Sequence, residues 1–208
     1  MLGHEINIEF WNKKLKHLPP AEIIDWALTL TDNRIVTTSF GIYSAVLLST
    51  ISKHDNSIKV IWCDTLYNSP STYEHASNLI EKYNLNIHKY QPLKSKEEID
   101  ATIGLPSLED ESHSEFSEIV KLEPFKRALE EQEPEMWFTN IRDRKTELRT
   151  KKDILSVSKD GILKVSPFYY WNDNALDELI AENNLPKNID YFDPVKALES
   201  RECGIHLQ

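Results

Sequence analysis

A mostly parallel, twisted α/β sheet with helices on both faces is the fold class predicted for this chain, and three observations predict it. Short β-rich runs alternate with segments whose apolar residues recur every three to four positions, the rhythm of βαβ units. At 208 residues, 40% hydrophobic and 28% charged, the chain suits one α/β domain with a real core. No internal repeat or low-complexity stretch points to a solenoid or a linker. Ile8, Trp11, Leu15 and Leu18 predict an amphipathic helix over 8–18, stopped by Pro19 and Pro20. Pro20 suits the first position of a second helix reaching about Leu30. A strand over 34–38 ends at Ser39-Phe40-Gly41, and a buried helix follows over 42–51. A second strand, 58–63, precedes a helix over 71–83 opened by Ser69 and Pro70, and a third strand covers 86–90. The polar, acidic stretch 94–118 reads as a mobile surface segment with one short helix. A helix over 123–132 leads to a strand over 136–140. Runs 155–157 and 162–165 flank Asp160-Gly161, a strong hairpin signal, and a last helix covers 175–182.

Composition narrows the function classes. No stretch of about eighteen apolar residues predicts a membrane span, and the first residues lack a secretory pattern, so a cytoplasmic protein is expected. A net charge of −10 argues against a nucleic-acid coat or a basic membrane-surface protein. Two cysteines, Cys63 and Cys203, are too few for a four-cysteine iron–sulfur cluster or a Cys₄ zinc site on one chain. No metal or cofactor is therefore expected. Cys63 sits in an apolar strand run and reads as a small buried hydrophobe. Cys203 lies near the end, before Gly204, with Arg201 and His206 able to favour the thiolate and Glu202 opposing it.

Ligands of open α/β sheets bind at the carboxyl ends of the strands. There the first strand meets Ser39, Phe40, Gly41 and Ser44, a glycine turn and helix start that suit an anion, though many plain βα connections look alike. Asp64 and Thr65 end the second strand and suit either a nucleoside contact or a helix cap. Residues 141–152 hold six basic side chains against two acidic ones, so Arg142 and Arg149 are candidates for bidentate phosphate or sulfate binding. A solvated basic helix is the other reading.

Taken together, 24–206 resembles the assimilatory 3′-phosphoadenylyl-sulfate (PAPS) reductases of the adenine nucleotide alpha hydrolase-like superfamily. Thr38-Ser39-Phe40-Gly41 resembles the family's modified pyrophosphate loop. Its other motifs are matched in order by 60–65 with Pro70-Ser71-Thr72-Tyr73, by 120–124 with Arg127, by Trp137-Phe138 leading to Arg142 and Arg149, and by 164–171. Arg201-Glu202-Cys203-Gly204-Ile205-His206 resembles the tail carrying the family's catalytic cysteine.

The resemblance implies a nucleotide-binding domain over 31–183, an N-terminal helical segment over 1–30, and a tail over 184–208 acting as a mobile lid. It implies attack by Cys203 on PAPS, regeneration by thioredoxin or glutaredoxin, and a homodimer without an iron–sulfur cluster. Ser39, Phe40, Gly41 and Ser44 would cradle the nucleotide, and Asp64 and Thr65 would orient its adenosine. Arg142, Arg149, Lys164 and Arg201 would shield the sulfate, and His206 would tune the thiol or hold the tail. Leu66 stands where relatives usually have glycine, and the segment before the cysteine tail is shorter than usual. A cluster-free adenylyl-sulfate (APS) reductase is the nearest rival. An ATP pyrophosphatase is another, but its loop normally reads Ser-Gly-Gly-x-Asp-Ser, and here Phe40 and Tyr43 replace the first Gly and the Asp. A third is a nucleotide-binding module without reductase activity.

Overall fold

The computed structural model describes residues 2–107, 109–143 and 152–195. Six strands form one sheet: β1 Arg34–Thr38, β2 Lys59–Cys63, β3 Asn86–Tyr90, β4 Met136–Phe138, β5 Leu155–Val157 and β6 Leu163–Val165. Their order is β3-β2-β1-β4-β6-β5. All neighbours are parallel except β5 and β6, the antiparallel hairpin whose turn carries Gly161 at φ +80°. From β1 the chain winds outward to β3, then returns to β4 on the other side of β1. The gap between β1 and β4 is thus the topological switch point, where open α/β sheets take their ligands.

Helices cover both faces, as the sequence predicts. On one face α2 (Ile8–Leu15), α3 (Pro20–Leu28), α4 (Ser44–His54), α5 (Pro70–Tyr83) and α9 (Asp173–Glu182) share a core with Val36, Val60, Phe138 and Val165. On the other, α8 (Glu123–Gln132) packs Phe125 and Ala128 against Ile35, Ile61, Cys63 and Trp137. Side chains one position apart on a strand thus enter opposite cores. Cys63 is buried in the second of them. Local signals start the helices: Asn7, Ser69, Ser95 and Asn172 each accept a backbone N–H through the side chain. No described helix is long and apolar enough to cross a membrane.

Three differences from the sequence reading stand out. A four-residue helix, α1 (Leu2–Glu5), is too short for periodicity to reveal. Its Gly3 lies so close to the hairpin that an added Cβ would stand 2.6 Å from the Gly161 carbonyl oxygen. The stretch 94–118 is not a loose surface segment. It holds α6 (Lys96–Thr102), opened by a Ser95–Glu98 capping box, and α7 (His113–Ser117), which runs into a π-helical turn, Glu118–Leu122. Ile99 and Phe116, isolated among polar neighbours in the sequence, bury together with Val120 and Val195 as a third core. Two helices, α2 and α3, and strand β4 also end earlier than periodicity suggests, whereas α4 runs on to His54.

The edge strand β5 is closed by a side chain. Asn12 of α2 donates to the Leu155 carbonyl at 3.0 Å and accepts from the Leu155 N–H at 2.7 Å. Covering an exposed edge in this way also blocks unwanted pairing. Asn12→Ala strands two buried backbone groups, so a loss of about 1–3 kcal/mol is expected, read as a lower urea midpoint.

Candidate active site

The carboxyl ends of β1, β2, β3, β4 and β6 gather along one edge of the sheet. At the centre, β1 leaves through Ser39-Phe40-Gly41. Phe40 has φ +50° and is fully buried, its N–H donating to Thr38 Oγ1 and its ring meeting Trp62 edge-on at 4.9 Å. A left-handed residue is ordinarily glycine, so the turn keeps a glycine-like backbone although a phenylalanine fills it. The Ser44 N–H donates to the Gly41 carbonyl at 3.0 Å, starting α4. Tyr43, at its N-cap, offers no capping side chain. The Ser44 hydroxyl meets His75 Nε2 at 3.3 Å. Burial lowers the His75 pKa, so the imidazole is neutral at pH 7 and exchanges one hydrogen bond with Ser44.

Beside the loop, the end of β4 brings up Arg142. Its buried guanidinium lies 4.6 Å from the centre of the Tyr43 ring and pairs with Asp173 at the start of α9. Lys187 Nζ lies 5.1 Å from the same ring. Two cationic groups therefore flank the residue that opens α4, where the helix dipole also favours an anion. Asn140 Nδ2 donates to the Tyr43 carbonyl at 3.1 Å. Among the described residues, Asn140 Oδ1 and the buried Trp62 indole N–H have no hydrogen-bond partner.

Asp64 is fully buried and accepts from Asn68 and Gln91 at 2.9 Å, the Tyr73 hydroxyl at 2.8 Å and the Leu66 N–H at 3.2 Å. Burial, and then this bond to Asp64, raise Tyr73 to about 12, so it stays a donor. The carboxylate holds together the ends of β2 and β3 and the start of α5. Leu66, at φ +68°, occupies a backbone state that ordinarily favours glycine. Thr65 is buried, and its hydroxyl accepts from the Tyr67 N–H at 3.3 Å.

Lys164 points away from the α4 face, onto Trp137, with Nζ 4.6 Å from the ring. Burial, helped by repulsion from Lys152 and Lys159, depresses it to about 8. The sign follows from linkage: the burial penalty is fully present below about pH 8 and is relieved as pH rises towards the ordinary lysine value near 10.4. Lys164→Met is therefore expected to raise Tm at pH 7, with the gain shrinking between pH 8 and 10.5 in paired melts.

The structure also assembles residues that single motifs did not single out. Asn188 Nδ2 donates to the Phe40 carbonyl at 2.9 Å and to Thr72 Oγ1 at 3.0 Å. The Tyr191 hydroxyl donates to Ser39 Oγ at 2.8 Å, and its ring lies 3.3 Å from where a Cβ on Gly41 would stand. Lys121, in the π-helical turn, forms a buried ion pair with Asp193. Lys121 was legible in the 120–124 motif, whereas Asn188, Tyr191 and Asp193 lie where no periodicity marks a role. Arg149, Arg201, Cys203 and His206 fall outside the described residues.

The profile of the phosphoadenosine phosphosulfate reductase domain matches residues 33–193. The phosphoadenosine 5′-phosphosulfate reductase of Xylella fastidiosa (strain M12) is 34% identical over 224 aligned positions, covering 96% of this chain and 94% of its own. That of Vibrio cholerae serotype O1 is 32% identical, covering 84% of this chain and 70% of its own. The crystal structure of phosphoadenylyl-sulfate (PAPS) reductase from Candida auris, a phosphate complex, matches with a TM-score of 0.76 at 30% identity, over 87% of each chain. A tight turn at the switch point, a parallel sheet of this order and near full-length similarity lead to one assignment: the chain belongs to the phosphoadenosine phosphosulfate reductase family.

Proposed function

We propose that this chain reduces PAPS to sulfite and adenosine 3′,5′-bisphosphate through a thiosulfonate on Cys203, with thioredoxin or glutaredoxin as the reductant. The observation that carries the reading is the Ser39–Gly41 turn feeding α4 at the switch point, with the buried Arg142 guanidinium beside it. Backbone N–H groups, the helix dipole and a fixed cation suit a polyanionic nucleotide. The Trp62 N–H and Asn140 Oδ1 supply a spare donor and a spare acceptor at the same sheet edge. Ser39, Phe40, Gly41 and Ser44 cradle the phosphates in this reading, with Asp64 and Thr65 shaping the adenosine side. Arg142, Arg149, Lys164 and Arg201 supply positive charge, and His206 tunes the thiol or holds the tail.

Cys203 attacks as the thiolate. Its Sγ bonds to the sulfonyl sulfur while the bond from that sulfur to the bridging phosphate oxygen breaks. Adenosine 3′,5′-bisphosphate leaves with the electron pair. A thiolate of the reductant then attacks Cys203 Sγ and releases sulfite. Its second thiol resolves the mixed disulfide and returns Cys203 as a thiolate. Two thiols oxidised to a disulfide supply the two electrons that take sulfate sulfur to sulfite. Attack by one anion on another costs Coulomb repulsion, which the cations offset. No iron–sulfur cluster is invoked, because two cysteines cannot supply four ligands on one chain. A cytoplasmic homodimer completes the reading.

The test is sulfite release with PAPS or APS, thioredoxin, its reductase and NADPH. Sulfite from PAPS supports the proposal, and a preference for APS makes this the cluster-free rival. ATP cleavage to AMP and pyrophosphate, with neither sulfonucleotide consumed, would remove the reductase reading.

A further inference from the structure

We propose that His75 is a positioning residue for the nucleotide site: its Nε2–H donates to Ser44 Oγ and leaves the Ser44 hydroxyl hydrogen to point at a bound phosphate. The inference deepens the reading that the turn from Ser39 to Ser44 cradles a polyanionic nucleotide, and it rests on that reading. His75 lies on α5, three residues after Thr72, and both side chains are buried. From there α5 braces the turn at two points. Asn188 joins Thr72 Oγ1 to the Phe40 carbonyl, and His75 Nε2 stands 3.3 Å from Ser44 Oγ. Ser44 is the first residue of α4 and follows Tyr43, whose ring Arg142 and Lys187 flank. The Ser44 N–H is spent on the Gly41 carbonyl, so the hydroxyl is what this residue can offer an anion.

A serine hydroxyl carries one hydrogen, and where that hydrogen goes decides the sign of its interaction with a phosphate. If Ser44 donates to the imidazole, lone pairs face the anion and repel it. If the imidazole donates, Ser44 keeps its hydrogen for a charge-assisted bond. Burial holds His75 neutral, so the ring has one N–H to place. A bound anion favours Nε2, where the bonds run in one direction from His75 to Ser44 to phosphate. Water competes poorly for the pair, because Ser44 and His75 are 8% and 7% exposed. The 3.3 Å separation is long for such a bond. It is expected to shorten on binding, since a hydroxyl that donates to an anion becomes a better acceptor.

A double-mutant cycle in the full chain tests this, read as the affinity for adenosine 3′,5′-bisphosphate by calorimetry. Ser44→Ala should weaken binding about tenfold, the worth of one hydrogen bond to a charged group. His75→Phe fills the space without a donor and should weaken it about fivefold, the worth of a neutral hydrogen bond. His75→Gln, whose amide reaches the place of Nε2, should recover most of that loss. In the Ser44→Ala background His75→Phe should cost nothing further, because its effect runs through the Ser44 hydroxyl. A merely structural histidine gives the same loss in both backgrounds, or none in either, and each result overturns the proposal. So does Ser44→Ala that binds like the wild type. A second measurement needs no variant to fold: long-range proton–nitrogen NMR of the wild type with isotope-labelled histidine. With adenosine 3′,5′-bisphosphate bound, the His75 ring should carry its proton at Nε2, and a ring protonated at Nδ1 alone would overturn the assignment. A wild type that does not bind adenosine 3′,5′-bisphosphate at all removes the nucleotide reading itself, an outcome distinct from binding without coupling between Ser44 and His75.

Discussion

Cys203→Ser is expected to lower sulfite release from PAPS by roughly a thousandfold or more while leaving nucleotide binding intact. A serine hydroxyl keeps nearly the size of the thiol but stays protonated at pH 7, so the attacking anion is lost. The loss should fall on kcat, because the anion loop, Arg142 and the core around them are separate parts of the chain. Calorimetric titration with adenosine 3′,5′-bisphosphate should give the wild-type affinity, and the melt should be unchanged. Intact mass after incubation with PAPS alone should show an adduct in the wild type and none in the variant. Sulfite release at the wild-type rate by Cys203→Ser would end the thiol mechanism, whatever the family.

Lys121→Ala is expected to cost about 3–5 kcal/mol, because it leaves the Asp193 carboxylate buried without its cation. For a chain of this length that corresponds to roughly 6–20 °C in Tm. Removing both charges together, as Lys121→Met with Asp193→Leu, should restore most of the stability, since a well-packed apolar pair avoids the desolvation cost. Thermal melts of the single and double variants read the difference directly. A single variant that melts with the wild type would mean that water reaches the pair and that burial does not hold it.

Much of the sheet was legible because strands and helices announce themselves by period. The bounds of β1 and β3, the extent of α8, the Pro20 start of α3 and the Asp160-Gly161 hairpin all stand where local chemistry puts them. The third core was not legible. Ile99 and Phe116 are single apolar residues in an acidic stretch, and their partners, Val120, Val195 and the half-buried Tyr67 among them, come from segments that no short window joins. The site divides in the same way. Ser39, Gly41 and Asp64 could be placed from a strand end and its turn. Asn188, Tyr191 and Asp193 act on residues roughly 70 to 150 positions away, and no short window holds that information. Phe40 and Leu66 are the instructive cases, because they hide a glycine-like backbone under large apolar side chains.

The central place of β1 has a kinetic consequence. Its partner β2 arrives after a short helical connection, but Val36 pairs with Phe138, 102 positions later. Closing that distance is expected to be a late and slow event in folding, because loop entropy is lost before the pairing contacts form. The anion loop and Arg142 face each other only once it has happened. Ability to hold a nucleotide should therefore appear after most helical signal has developed in a refolding experiment, which makes ligand capture a reporter of the final docking of β4.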